Sequence, residues 1–175
     1  MNIPSIKTAR LLLRPWTPDD AEALFNILQD QAVLRYLPNT SPPPLELAEK
    51  YIALQLDHWQ ERGYGHWAVV SQEDGQVLGW NGLGYLPEIN ETEVAYLLRQ
   101  SAWNRGYASE AAQAAIRFGF NNGGLESIIG LVHPDNTASI RVLEKSGLTY
   151  ADRITLWGVE LKRYRIYRQD TRYFV

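Results

Sequence analysis

A crowded turn at the start of a helix is the first feature of this sequence that could do chemistry. The segment SAWNRGYASEAAQAAI (Ser101–Ile116) places Gly106 just before an alanine-rich predicted helix. Helix N-termini leave backbone N–H groups unpaired and carry about half a positive charge, so such a turn can bind an anion. We expect a phosphate or diphosphate here, although an ordinary strand-to-helix loop would share most of this pattern. The residues assigned to this cradle are Asn104, Arg105, Gly106, Tyr107, Ala108 and Ser109.

Several other kinds of site are excluded by residue types and spacing. The sequence has no cysteine, which excludes disulfides, thiolate nucleophiles and zinc sites built from cysteine. Its histidines, His58, His66 and His133, do not have the spacing of metal ligands, so no metal is expected. No Walker A pattern, dinucleotide fingerprint or Gly-x-Ser-x-Gly nucleophile elbow is present.

Bulk composition indicates an ordinary globular protein. The chain has 175 residues with a net charge of −3 and 45% hydrophobic residues, which suits one domain over residues 1–175. The charge gives no general attraction to nucleic acid or membrane, and the basic tail from Leu161 onward alternates like a terminal strand. There is neither a signal-peptide core nor an apolar run of the roughly 18 residues that span a bilayer. A cytoplasmic protein is expected.

Hydrophobic periodicity and turn residues predict the element order β α α β β β α β α β β. The predicted strands are Arg10–Trp16, His66–Ser71, Gln76–Leu86, Thr92–Arg99, Ser127–Val132, Leu148–Ile154 and Glu160–Arg168. The predicted helices run from an N-cap at Thr17 to near Asp30, over Leu45–Arg62, from the Gly106 turn to near Asn121, and within Asp135–Gly147. A hairpin followed by a strand–helix–strand crossover implies a mixed α/β sheet. Glycines 79, 82 and 84 indicate a bulge or a close backbone approach.

Four pieces of the chain, in order, resemble the GNAT superfamily of acetyl-CoA-dependent N-acetyltransferases. WNRGYASEA resembles the family's phosphate-binding motif Gln/Arg-x-x-Gly-x-Gly/Ala, with Trp103 in first position as in the Rim-type branch of ribosomal-protein N-terminal acetyltransferases. TARLLLRPWTPDDAEAL, EVAYLL and NTASIRVLEKSGL resemble that branch too, and together the pieces span Thr8 to Arg168. The resemblance implies a twisted mixed sheet of about seven strands with helices on both faces. It also implies that the strands at Thr92–Arg99 and Ser127–Val132 splay apart around acetyl-CoA.

The same resemblance implies roles for cofactor-binding residues. The pantetheine arm is expected to pair with the strand edge near Leu97, Leu98 and Arg99, and the Leu98 N–H to donate to the thioester oxygen. Asn136 is expected at the pantetheine arm, where it could also serve as a plain helix N-cap. Ser139 is expected near the sulfur.

Glu93 is the candidate general base, because some GNAT members place a catalytic Glu at the start of the segment that reads EVAYLL here. The alternative is a solvated strand-end charge or an ion-pair partner. Many members have a Tyr acid where this chain has Leu143, so Ser139 is expected to replace it, with Tyr150 as an outside candidate. Glu110 is expected to complement the helix dipole rather than to act in catalysis.

The acceptor is expected to be a primary amine: a protein N-terminus, a free amino acid or polyamine, or an aminoglycoside-like molecule. Candidates to line its site are Arg35, Tyr36, Trp67, Trp80 and Asn81, each of which could equally be an ordinary core or surface residue. A non-catalytic acyl-CoA binding module and an ATP-binding domain are the alternatives to an acetyltransferase. The chain is expected to act as a monomer or a homodimer.

Overall fold

The computed structural model describes residues 2–173, and within that range the strands form one eight-stranded sheet. The strands are β1 (Ile6–Lys7), β2 (Leu11–Arg14), β3 (His66–Ser71), β4 (Val77–Leu86), β5 (Glu91–Leu98), β6 (Ser127–Val132), β7 (Thr149–Leu156) and β8 (Val159–Tyr167). The helices are α1 (Ala21–Leu28), α2 (Gln31–Leu34), α3 (Leu45–Arg62), α4 (Tyr107–Asn121) and α5 (Thr137–Lys145). No helix in residues 2–173 is long and apolar enough to cross a bilayer.

The predicted mixed sheet is confirmed. Strand order is β1-β2-β3-β4-β5-β6-β8-β7, with β5 and β6 parallel and the other neighbouring strands antiparallel. The strand count exceeds the expected seven or so because β1 pairs Ile6 with Leu13 on β2. The first helix ends at Leu28 rather than near Asp30, since the Asp30 side chain accepts a hydrogen bond from the Ala32 N–H and begins α2. Both additional elements are too short for periodicity to reveal.

Side-chain alternation along the strands assigns residues to two faces of the sheet. Leu83 and Val94 lie on the face that packs against α4, where Ile116 is fully buried; we refer to this as the α4 face. Ala68 and Trp80 lie on the face that packs against α1 and α3, which we refer to as the α1–α3 face. Consecutive residues on a regular strand therefore lie on opposite faces of the sheet.

The sheet opens between its two parallel strands. Within the described chain, the ladder between β5 and β6 consists of the pair Glu93–Ile129, whereas β4 and β5 pair continuously from Gly79–Leu98 to Leu86–Glu91. We refer to the space between residues 94–98 of β5 and 130–132 of β6 as the fork. An unpaired strand edge presents N–H and C=O groups to an extended chain of amides.

Candidate active site

The N-terminus of α4 has the geometry of an anion-binding turn. Gly106 is the N-cap with φ of 79°, and Asn104 is also left-handed with φ of 58°. Residues 103–106 are exposed, and no side chain caps the helix. Because first-turn amides have no acceptor within a helix, those of residues 107–109 are available to an anion from solvent.

Arg10, just before β2, holds this turn from the side. Its guanidinium donates to the Arg105 carbonyl at 2.8 Å and lies 4.6 Å from the centre of the Tyr107 ring. It also donates to Glu110 Oε2 at 2.8 Å, while the Thr8 hydroxyl donates to Glu110 Oε1 at 2.6 Å. Glu110 thus anchors the turn. Sequence reasoning missed Arg10, because a contact across 95 residues leaves no local signal.

The backbone of β5 directs only alternate residues into the fork. The Arg99 N–H donates to the Leu78 carbonyl at 2.8 Å, which places it on the β4 side. Alternation in an antiparallel ladder directs the Leu97 backbone to β4 as well, and the Leu98 backbone into the fork. Since Trp103 Nε1 donates to the Leu98 carbonyl at 2.7 Å, the Leu98 N–H is the group left facing the fork.

This pattern corrects two of the expected cofactor contacts. Leu97 and Arg99 turn their backbone groups to β4, so they do not offer them to a chain lying in the fork. Leu98 does, and by the same alternation so does Tyr96, which sequence reasoning did not include.

Glu93 lies at the root of the fork, opposite Gly84 on β4 and Ile129 on β6. Its side chain is half-buried on the α1–α3 face, and burial raises the pKa of its carboxyl to about 7. Among the described residues, no ion pair or hydrogen bond is formed by this carboxylate. Glu93 is therefore neither a solvated strand-end charge nor an ion-pair partner, and its pKa suits a base near neutral pH.

Gly84 leaves a space between Glu93 and His66. A Cβ placed on Gly84 would lie 3.3 Å from His66 Nε2 and 4.0 Å from Glu93 Cγ. His66 Nδ1 is 2.7 Å from the Tyr51 hydroxyl, and the imidazole stacks on Trp80 with ring centroids 4.5 Å apart. Aromatic rings therefore border this space on the side of His66.

Ser139 and Tyr96 meet on the other side of the fork. The Ser139 hydroxyl donates to Tyr96 Oη at 3.0 Å, and the Tyr96 hydroxyl donates to the Ser139 carbonyl at 3.1 Å. Burial raises the pKa of Tyr96 above its ordinary value. Asn136 Oδ1 accepts from the Ser139 N–H at 3.1 Å, so Asn136 is the N-cap of α5.

Two other positions considered for an acid are placed differently. Leu143 is 1% exposed and packs against Gly130, where a Cβ would come within 2.4 Å of the leucine. Tyr150 is 53% exposed on the edge strand β7, where its ring packs edge-on against Tyr164. The fork therefore has Tyr96 and Ser139 as its hydroxyl pair.

Of the residues expected to line the acceptor site, one shares the face of Glu93 and two lie near the loop before α5. Trp80 is on the α1–α3 face beside His66. The Tyr36 hydroxyl donates to the Asp135 carbonyl at 3.3 Å, and the Arg35 guanidinium lies 5.3 Å from the centre of the Tyr36 ring. The segment that follows α2 thus contacts the loop before α5.

The other two were placed wrongly. Trp67 and Asn81 are 0% exposed and lie opposite each other on β3 and β4, on the α4 face. Trp67 packs in the core and its Nε1 donates to the Pro4 carbonyl at 2.8 Å. Asn81 follows Trp80 on the same strand, so the alternation that exposes one to the α1–α3 face turns the other away.

Comparison with known proteins identifies the family. Residues 10–149 match the family described as an acetyltransferase (GNAT) domain. The chain belongs to the GNAT acetyltransferase family. This GNAT protein transfers an acetyl group from acetyl-CoA to an amine, and a role limited to acyl-CoA binding is not favoured.

Relatives of this GNAT acetyltransferase share nearly its whole length. An uncharacterized N-acetyltransferase of Bacillus subtilis, YoaA, is 31% identical over 145 residues, which cover 82% of each chain. The crystal structure of a GNAT-family acetyltransferase from Bacillus anthracis superimposes with a TM-score of 0.81 at 26% identity, covering 95% of this chain and 99% of that one. RimL, a ribosomal L7/L12 alpha-N-protein acetyltransferase in complex with coenzyme A, has the same fold. Its TM-score is 0.77 at 20% identity, covering 95% of this chain and 98% of that one.

The donors of this GNAT site fit acetyl-CoA. A diphosphate needs several convergent N–H donors, which the first turn of α4 can supply next to the exposed residues 103–106. The pantetheine arm is a chain of amides, and the unpaired edge at Tyr96 and Leu98 can pair with it like an added strand.

Proposed function

We propose that this GNAT acetyltransferase acetylates a primary amine that reaches the fork from the α1–α3 face, with Glu93 as the general base. The observation that carries the proposal is the position of Glu93. Its side chain is half-buried on that face, at the residue pair Glu93–Ile129 beyond which β5 and β6 separate. Acetyl-CoA in the fork supplies the acetyl group as a thioester with a thiolate leaving group.

Residues on two sides of the fork would hold the cofactor. The amides of residues 107–109, with Arg105 and the exposed Gly106 turn, would take the diphosphate. Leu98 and Tyr96 would pair with pantetheine, and the α5 cap at Asn136 would border its end. Arg10 keeps the turn in shape through the Arg105 carbonyl.

The protein's task at the acceptor is to deliver a neutral amine. An alkyl amine has a pKa of about 10, so only about one molecule in a thousand is neutral at pH 7. Glu93 takes one proton from the ammonium group and releases it to solvent, and the neutral amine then attacks the acetyl carbonyl directly. The second N–H proton leaves the nitrogen to Glu93 as the C–S bond of the adduct breaks. The Leu98 N–H donates to the carbonyl oxygen as charge develops, a contact typically worth about 3 kcal/mol in the transition state.

Ser139 is the proposed proton donor to the leaving sulfur, with Tyr96 as its hydrogen-bonded neighbour. Their hydroxyls are 3.0 Å apart, so when the Ser139 hydroxyl turns its proton from Tyr96 to sulfur, the Tyr96 hydroxyl can turn from the Ser139 carbonyl and donate to Ser139 Oγ. A thiol has a pKa of about 8.5, which makes the thiolate a tolerable leaving group even without an acid. The acid therefore contributes less to the rate than the base.

We place the protein in the Rim-type branch, as one cytoplasmic GNAT domain over residues 1–175. Trp103 at the head of the phosphate-binding motif and the fold shared with RimL support this placement. The acceptor is then a protein N-terminus or a small-molecule amine, with Arg35, Tyr36 and Trp80 lining its approach.

A thiol-release assay over a panel of amines tests the proposal. The panel would contain N-terminal peptides, amino acids, polyamines and aminoglycosides, with acetyl-CoA as donor. We expect CoA release that depends on one amine class and is lost in Glu93→Gln. Tight CoA binding with no turnover on any amine would contradict acetylation, and thermal stabilisation by ATP but not by CoA would contradict the cofactor.

A further inference from the structure

His66 is a buried polar residue that the proposed mechanism does not use. It is 9% exposed on β3, and its Nε2 is buried without a hydrogen-bond partner among the described residues. Buried polar atoms are nearly always paired, so this ring nitrogen is available to a group that enters the space it faces. The space that Nε2 faces is the one over Gly84, which Glu93 borders from the other side.

The tautomer of His66 follows from its other nitrogen. The Tyr51 hydroxyl lies 2.7 Å from Nδ1 and has no other hydrogen-bond partner among the described residues. If Tyr51 donates to Nδ1, the imidazole proton is on Nε2 and points toward the Glu93 side. The opposite tautomer would leave the phenolic proton unused and aim a bare lone pair at a carboxylate. Stacking of the imidazole on Trp80, at an interplanar angle of 11°, keeps the ring in that orientation.

We propose that His66 is a positioning residue for Glu93: its Nε2–H donates into the space over Gly84 and orients the Glu93 carboxylate toward the acceptor amine. The inference rests on Glu93 acting as the base described above. Gly84 is required because any side chain there would fill the space between the two groups. Tyr51 acts on Glu93 indirectly: its hydroxyl donates to His66 Nδ1 and so keeps the imidazole proton on Nε2.

The other charged and titratable groups around this space lie on β5, β8 and α3. Tyr96, on β5 itself, senses the charge of Glu93 from the other face, and His58 on α3 interacts electrostatically with His66. Glu91, two residues before Glu93 and on the same face, is ion-paired with Arg163 and Arg165 of β8, and Arg165 lies opposite Ile129. The neighbouring strand positions, Gly84 and Ile129, do not titrate. Burial lowers the pKa of His66 to about 3, so the imidazole stays neutral and acts only as a donor at working pH.

The experiment measures the titration of the Glu93 carboxyl carbon by NMR in protein labelled at glutamate. Its signal is identified by its absence in Glu93→Gln. In His66→Leu the donor is lost, and we expect the midpoint to rise by about one pH unit because the ionised carboxylate no longer has an N–H group to turn toward across the Gly84 space. In His66→Gln an N–H donor is retained, and the midpoint should stay near that of the wild type. Tyr51→Phe should give a smaller rise, since it removes only the tautomer lock.

Kinetics give the second readout. With the best amine of the panel, kcat/KM of His66→Leu should fall about tenfold more at pH 6 than at pH 9, because its Glu93 holds a proton to higher pH. An unchanged midpoint in His66→Leu, or an equal shift in His66→Gln, would overturn the inference. If His66→Leu does not fold, an unchanged midpoint in Tyr51→Phe would overturn it. A pH profile that Glu93→Gln does not alter would instead overturn the proposed base, while the NMR titration still tests the pairing.

Discussion

Glu93 and Tyr96 lie on the same strand but face opposite sides of the sheet. Glu93 shares the α1–α3 face with His66 and Trp80, whereas the Tyr96 hydroxyl reaches Ser139 on α5. Acetyl transfer from a neutral amine needs one proton removed from nitrogen and one delivered to sulfur. In the proposed mechanism, the strand separates the base, Glu93, from the Tyr96–Ser139 hydroxyl pair, because the odd spacing of Glu93 and Tyr96 places them on opposite faces.

The pH dependence of activity tests the role proposed for Glu93. We expect kcat/KM of the wild type to fall as pH drops through about 7, because the carboxyl is then protonated. Glu93→Gln should remove this limb and lower kcat/KM about 100-fold for an alkyl amine, leaving only the rise that follows the amine's own ionisation. Glu49→Gln, on an exposed position of α3, is the matched control. A limb near pH 7 that persists in Glu93→Gln would remove Glu93 from the mechanism.

The same carboxyl affects folding stability. Its pKa is raised from 4.5 to about 7 by burial, so the folded state holds a proton that the unfolded state releases between these values. The contribution of Glu93 is therefore most favourable below about pH 4.5 and is lost as pH rises through 7. We expect Glu93→Gln to gain free energy of unfolding relative to the wild type between pH 5 and pH 8, measured by urea titration. A difference that is constant with pH would contradict the raised pKa.

Gly106 permits a test of the cradle with a matched control. Alanine at φ of 79° is strained, and its Cβ would lie 3.3 Å from Arg10 Nη2, so Gly106→Ala should distort the turn. We expect a roughly tenfold weaker Kd for CoA by calorimetry, about 1.4 kcal/mol. Gly63→Ala carries a similar φ of 74° in open space after α3, and should lower Tm without changing the Kd. Equal Kd values for all three proteins would show that the turn does not bind CoA.

Ser139 and Tyr96 should behave as one unit. Ser139→Ala and Tyr96→Phe each break the 3.0 Å contact between their hydroxyls, so each should lower kcat by about the same amount and the double variant by little more. We expect a loss of roughly tenfold or less, because thiolate is a tolerable leaving group. Additive losses in single-turnover measurements would show that the two hydroxyls act separately.

The elements that position the site could be predicted where periodicity or turn chemistry is strong. The α4 start at Gly106 and the β4 glycines are such cases. Gly79 has a φ of 147°, and a Cβ placed on it would lie 2.0 Å from the Leu97 carbonyl oxygen. The Arg10–Glu110 pair could not be found, because its two halves are far apart in sequence and only the fold brings them together.

Errors in the expected acceptor site have a physical origin in strand register. Trp80 and Asn81 are consecutive on one strand, so period-two alternation alone separates them. The position of Trp67 could be assigned only from the register between β3 and β4, which places Trp67 opposite Asn81. This register shifts by a bulge between Val69 and Val70. A bulge of this kind cannot be located from residue types alone. Tyr96, by contrast, was within reach, since its odd spacing from Glu93 assigns it to the other face.

A crystal structure of the protein with CoA tests the central claim most directly. We predict the diphosphate within hydrogen-bonding distance of the amides of residues 107–109, and the pantetheine arm between β5 and β6 with an amide paired to Leu98. Density for CoA at another surface, with the Gly106 turn untouched and the fork empty, would contradict the account.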